Sequence, residues 1–115
     1  MNAEEFRNRT QRFALNIIQF VDGLPNLGAA YVMGRQLVRS GTSVGANYRS
    51  ACRARSRADF IAKLKIVEEE CDQSLYWLEL FGETGYKSRL PVADLKKEAE
   101  ELLSMVVASI KTART

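Results

Sequence analysis

Ser56–Gly82 reads SRADFIAKLKIVEEECDQSLYWLELFG, and within it Phe60, Leu64, Val67, Cys71, Leu75 and Leu78 recur at steps of three and four. That period puts all six on one side of an α-helix and argues against the alternation of a half-buried strand. Ser56 offers a hydroxyl where an N-cap is needed, and Asp59 places a carboxylate in the electropositive first turn. The spacing predicts a helix that starts at Ser56 and closes near Phe81-Gly82.

The sequence on either side repeats the pattern. Upstream, a second-helix stripe of Met33, Leu37, Val44, Tyr48 and Ala51 predicts a helix from Leu27–Ala30 to about Arg55. Gly34, Gly41 and Gly45 lie within it, each costing about 1 kcal/mol against alanine. They share one flank with Val38, where a neighbouring helix can approach closely; a break at Gly41-Thr42, giving five helices, is the alternative. Phe6, Phe13, Ile17, Phe20 and Leu24 define a first helix over about Ala3–Leu24, stopped by Asp22-Gly23-Leu24-Pro25-Asn26. Downstream, Gly85–Leu90 is a connection, Pro91 suits a helix start, and Leu95, Ala99, Leu102, Val106 and Ile110 line a fourth helix. Short connections between long helices favour antiparallel neighbours. The expected fold is an all-α, up-down, antiparallel four-helix bundle, one domain over residues 1–115.

Composition narrows the function. With 115 residues and 46% apolar content, the chain can build a core. No apolar run reaches the length needed to span a bilayer, and Met1–Phe6 lacks the charged start and apolar stretch of a signal peptide. A cytoplasmic protein that does not engage membranes is expected. The absence of histidine removes the commonest general base and metal ligand. No phosphate-binding loop, HExxH or GxSxG motif occurs. Cys52 and Cys71 form no CxxC pair, fall too far apart on a helical hairpin to bridge, and read as small buried apolar residues. The expectation is no metal, no cofactor and no catalytic residue.

Charge is unevenly spread beneath the net +3. Residues 29–65 carry eight Lys or Arg against one acid, Asp59, a balance of +7, whereas residues 66–115 carry six against ten, a balance of −4. Residues 1–28 hold three of each sign. At about 100° per residue, Arg35, Arg39, Arg49, Arg53 and Arg57 fall within an arc of about 80°, opposite the core stripe of the second helix, along about 33 Å. Arginine matches phosphate and carboxylate bidentately, so one reading is a nucleic-acid-binding face that grips backbone, since no aromatic is interleaved for stacking. The other reading is an ion-paired surface, with Glu68, Glu69, Glu70, Asp72 and Glu79 of the third helix as partners. That helix also carries Ile66, Trp77 and Leu80, with Tyr76 adjacent, away from its core stripe. A second apolar face points to a subunit interface, the alternative being that Trp77 laps over the bundle edge.

Gly41-Thr42-Ser43-Val44-Gly45-Ala46-Asn47, Ser56-Arg57-Ala58-Asp59-Phe60 and Tyr76-Trp77-Leu78-Glu79 resemble the 23S rRNA intervening-sequence protein family, over roughly residues 10–110. The resemblance implies a bacterial four-helix bundle, commonly a ring-shaped homopentamer, encoded in ribosomal RNA insertions or stand-alone genes. It extends distantly to the accessory variability proteins of diversity-generating retroelements, basic pentamers that work with a reverse transcriptase and RNA. Many relatives carry Glu where this chain has Gln73. Within the motif, Ser43 and Asn47 read either as a contact to RNA or a partner, or as a local hydrogen bond, since asparagine is a poor interior helix residue. Two functions follow: an RNA-binding assembly protein using the arginine stripe, or an oligomeric adaptor for a protein partner whose arginines pair with the third helix.

Overall fold

The computed structural model of the chain describes residues 2–115 and contains four helices: α1 (Ala3–Asp22), α2 (Gly28–Ala51), α3 (Arg57–Glu83) and α4 (Val92–Arg114). Among the described residues there is no strand, and α2 runs unbroken through Gly41-Thr42, so the five-helix alternative does not hold.

Local chemistry sets the helix ends. The Asn2 side-chain oxygen accepts the Glu5 N–H at 2.8 Å, satisfying one of the orphan donors at the start of α1. Ser56 does the same for Asp59 at 3.1 Å, as its position predicts. No side chain caps α2; Gly28 turns the chain into that helix at φ 65°, a conformation that costs glycine nothing. Pro91 stands just outside α4 as its N-cap, one residue before the position expected.

Paired residues reveal the topology. Gly34, Gly41 and Gly45 face Val21, Ile17 and Thr10 in reverse order, so α1 and α2 run antiparallel. On the other side of α1, Phe20 and Arg9 meet Ser88 and Glu98 in the same reversed sense. α2 packs on α3 and α3 on α4 extensively, whereas the α1–α4 seam is thinner. The up-down bundle measures 44 × 20 × 20 Å. Its core takes the predicted stripes from all four helices, Phe13, Leu37, Leu64, Leu78, Leu102 and Val106 being fully enclosed. Met33, Tyr48, Phe60 and Leu75 reach the core only in part, at its edges. Ser40 and Ser74 are buried between α2 and α3 with their hydroxyl oxygens 3.0 Å apart, and Ser74 also donates to the Glu70 carbonyl at 2.8 Å.

The glycine flank of α2 is where α1 sits. A Cβ on Gly41 would lie 3.0–3.3 Å from three atoms of Ile17, a branched side chain with no exposed surface. Gly82, in the last turn of α3, has nothing within 4 Å of such an atom. The two sites give opposite expectations. In thermal melts Gly41→Ala should destabilise by up to about 2 kcal/mol, because overpacking of about 1–3 kcal/mol exceeds the propensity gain of about 1. Gly82→Ala should stabilise by up to about 1 kcal/mol. Equal stabilisation by both would mean that α1 is not seated on the glycines.

Candidate nucleic-acid interface

The five arginines do not share one helix. α2 ends at Ala51, four residues before the end expected from the sequence, because the next backbone donors are claimed by the corner. The Arg53 and Ala54 N–H groups bond to Ser50 and Ala51 carbonyls at 3.1 and 3.0 Å, in a turn. The Arg55 N–H donates to the Asp59 carboxylate at 3.1 Å. That bond, followed by Lys63 at 3.0 Å, holds the Asp59 carboxyl below its ordinary range. Arg35, Arg39 and Arg49 therefore lie on α2, Arg53 lies in the turn, and Arg57 is the first residue of α3. The helical arc stops at Arg49, and the corner itself carries the last two.

Their electrostatic states also differ. Arg39 pairs with Glu70 across α2 and α3, Nη1 to Oε2 at 3.1 Å, and its other nitrogen meets Gln73. The Arg39 side chain is half exposed, so the pair contributes about 0–1 kcal/mol. Arg35 donates to the Tyr31 hydroxyl at 3.1 Å and lies over that ring. Among the described residues Arg49, Arg53 and Arg57 have no carboxylate within ion-pair distance. The proposed pairing with α3 acids is thus met by Arg39 alone.

Arg49 and Arg53 line a cleft of about 690 Å³ between α2 and α1. The α1 wall brings Arg7, Asn8 and Gln11, and Thr42, Gly45 and Ala46 line it from α2, with no acid among the lining residues. Arg7 was not foreseeable from periodicity, because the register between α1 and α2 is set by which α1 side chains fill the glycine flank.

The motif polar groups turn inward on their own helix. Ser43 donates to the Arg39 carbonyl at 2.7 Å, and Asn47 Nδ2 donates to the Ser43 carbonyl at 2.9 Å. On α3, Ile66 and Tyr76 are 43% and 54% exposed, whereas Trp77 and Leu80 are half-buried and Trp77 packs against the core. Another arginine, Arg9, closes the α1–α4 seam. Its guanidinium meets both Glu98 oxygens at 2.7 Å and Glu101 at 2.7 Å. These bonds raise its pKa above the ordinary arginine value despite partial burial.

Fold and site together define a small four-helix bundle with an arginine-lined cleft at one end. The chain belongs to the 23S rRNA-intervening sequence protein family, whose pattern it matches over residues 4–108. It is similar to a crystal structure of a protein of unknown function from the S23 ribosomal protein family of Bacteroides thetaiotaomicron. The two are 35% identical with a TM-score of 0.83, over 96% of this chain and 99% of that one. A comparison with curated proteins finds no match. No helix is long and apolar enough to cross a membrane among the described residues.

The cysteines separate from one another. Cys71 is buried, and burial, reinforced by Glu68, Glu70 and Asp72, pushes its thiol up to about 12. Cys52 is exposed and lines the cleft, contrary to the buried role expected of it, because the helix ends just before it. Under native conditions at neutral pH, iodoacetamide should alkylate Cys52 and leave Cys71 unmodified until the protein unfolds. Mass spectrometry of the digested protein reads this directly; prompt native labelling of Cys71 would contradict the packing.

Proposed function

We propose that this protein binds nucleic acid, RNA in particular, as a self-associating assembly protein. The observation that carries the reading is the group Arg49, Arg53 and Arg57 at the α2–α3 corner, exposed and, among the described residues, without carboxylate partners, while several of the chain's acids are paired with other cations. Glu70 is taken by Arg39, Glu98 and Glu101 by Arg9, and Asp59 by Lys63 and the Arg55 backbone. Unpaired guanidinium groups gathered without acids raise the local potential and attract phosphate. The family's description, which names a 23S rRNA intervening sequence, supports RNA as the polyanion.

Binding should be largely independent of sequence and fall steeply with salt, because each neutralised phosphate releases counterions. The triple variant with Arg49, Arg53 and Arg57 changed to Gln should weaken binding to all RNAs alike. It should lower the log–log salt slope by roughly 0.7–0.9 for each phosphate no longer neutralised, with helicity unchanged. The adaptor reading draws on the Arg39–Glu70–Gln73 cluster. It is favoured instead if the native protein has no measurable RNA affinity and the triple variant melts earlier or dissociates.

Self-association rests on Ile66 and Tyr76, exposed on α3 beside half-buried Trp77 and Leu80. The family resemblance makes five subunits in a ring the expected number. Trp77→Glu would also damage the core it packs on, so Ile66→Glu and Tyr76→Glu are the cleaner tests. Each should shift native mass spectra toward monomer without lowering helicity; an unchanged oligomer would remove α3 from the interface.

A further inference from the structure

We infer that the cleft between α1 and α2 is a two-walled channel for one strand of sugar–phosphate backbone, with Arg7 as its α1-side phosphate anchor. The inference rests on the nucleic-acid reading and adds to it a second helix, a defined channel and residues outside the arginine stripe.

Arg7 enters from α1, and Arg49 and Arg53 from the end of α2 and the turn after it. Like charges around one cleft repel, and nothing in its lining offsets them. Such an arrangement lowers folding stability unless a bound anion compensates. Arg7 is exposed and forms no ion pair among the described residues, so packing gives no reason for its position. Between the arginines the lining changes to neutral donors. Asn8 and Gln11 carry amides that can donate to phosphate or ribose oxygens, and Thr42 and Ala46 are small enough to keep the space open. The volume, about 690 Å³ in a cleft open along one side, lies in the size range of small-ligand sites and is far too small to admit a duplex. One strand fits, whether a free single strand or the edge strand that a duplex presents. With no aromatic in the lining, the channel follows backbone rather than base identity.

Cys52 in the lining gives the channel its own reporter. The experiment uses the full chain, a 20-nucleotide oligouridylate and an RNA duplex of equal length. Arg7→Gln should lower affinity and reduce the salt slope by about 0.7–0.9, the change expected for a single phosphate. Asn8→Asp, which puts an acid of the same shape into the channel, should weaken binding as well. Arg12→Gln removes the same charge from the same helix outside the channel and should leave the slope unchanged. Bound RNA should slow alkylation of Cys52, and whichever RNA protects it better identifies the source of the strand. Equal decreases in affinity from Arg7→Gln and Arg12→Gln would reduce the effect to net charge and overturn the channel. So would undiminished Cys52 labelling in a saturated complex. If the Arg49/Arg53/Arg57 variant fails to bind RNA while Arg7→Gln and Asn8→Asp bind normally, the channel fails and RNA binding at the corner stands. If the native protein binds neither RNA, both fall together.

Discussion

Gly34, Gly41 and Gly45 leave one flank of α2 without side chains, and Val21, Ile17 and Thr10 of α1 occupy the space their Cβ atoms would take. Each glycine weakens the isolated helix by about 1 kcal/mol. Enclosing Ile17 completely, a side chain whose full burial contributes about 1.5–3 kcal/mol, offsets much of that. The seating matters because α1 is held less firmly on its other side. The α1–α4 seam is thinner, and Arg9, gripping Glu98 and Glu101, closes it. A looser α1–α2 seam would let α1 drift, and the cleft would be left without its second wall. The same close approach places Arg7 opposite Arg49 and Arg53, so a packing constraint becomes an electrostatic one.

Four acidic side chains are held in ion pairs that do not involve the corner arginines. Evenly spread, the balance of −4 over residues 66–115 would offset about half of the +7 on the basic stretch. Instead, Glu98 and Glu101 are drawn to Arg9, and Glu70 to Arg39. Asp59 is the one acid in the basic stretch, and it is committed to the corner through Lys63 and the Arg55 N–H. Each pairing stabilises little on a partly exposed surface. Its larger effect is on the field, since an acid neutralised in place no longer competes with an external phosphate for the corner arginines.

The helices were legible in the sequence because the apolar stripes recur at helical steps and Ser56 and Asp59 mark a start that the backbone uses. The close-packing flank of α2 could also be read, since three glycines at that spacing have few other purposes. The end of α2 could not. Cys52-Arg53-Ala54-Arg55 contains no breaker, and the chain leaves the helix because the Ser56 cap requires an extended backbone and Asp59 takes the Arg55 N–H. A helical wheel extended through that point puts Arg53 and Arg57 on the wrong element while keeping them at the right end of the molecule. Arg7 and Arg9 were invisible for a different reason. Arg9's carboxylates and the arginines that share the cleft with Arg7 lie on other elements, and the register between helices depends on side-chain fit rather than on period.

Helix electrostatics gives the corner arginines unequal intrinsic support. Arg49 stands in the last turn of α2, where the negative end of the helix dipole favours a cation by about 0.3–1 kcal/mol. Part of the basic character there is explained without any ligand. Arg57 is the opposite case. It is the first residue of α3, at the positive end of a 27-residue helix, where the dipole disfavours a cation by a similar amount. Asp59, two residues on, is already committed to Lys63 and the backbone and does not pair with it. Arg57 thus sits where neither its own helix nor a neighbouring carboxylate rewards a positive charge. An anion drawn to the corner would relieve both its unmet charge and the positive helix end.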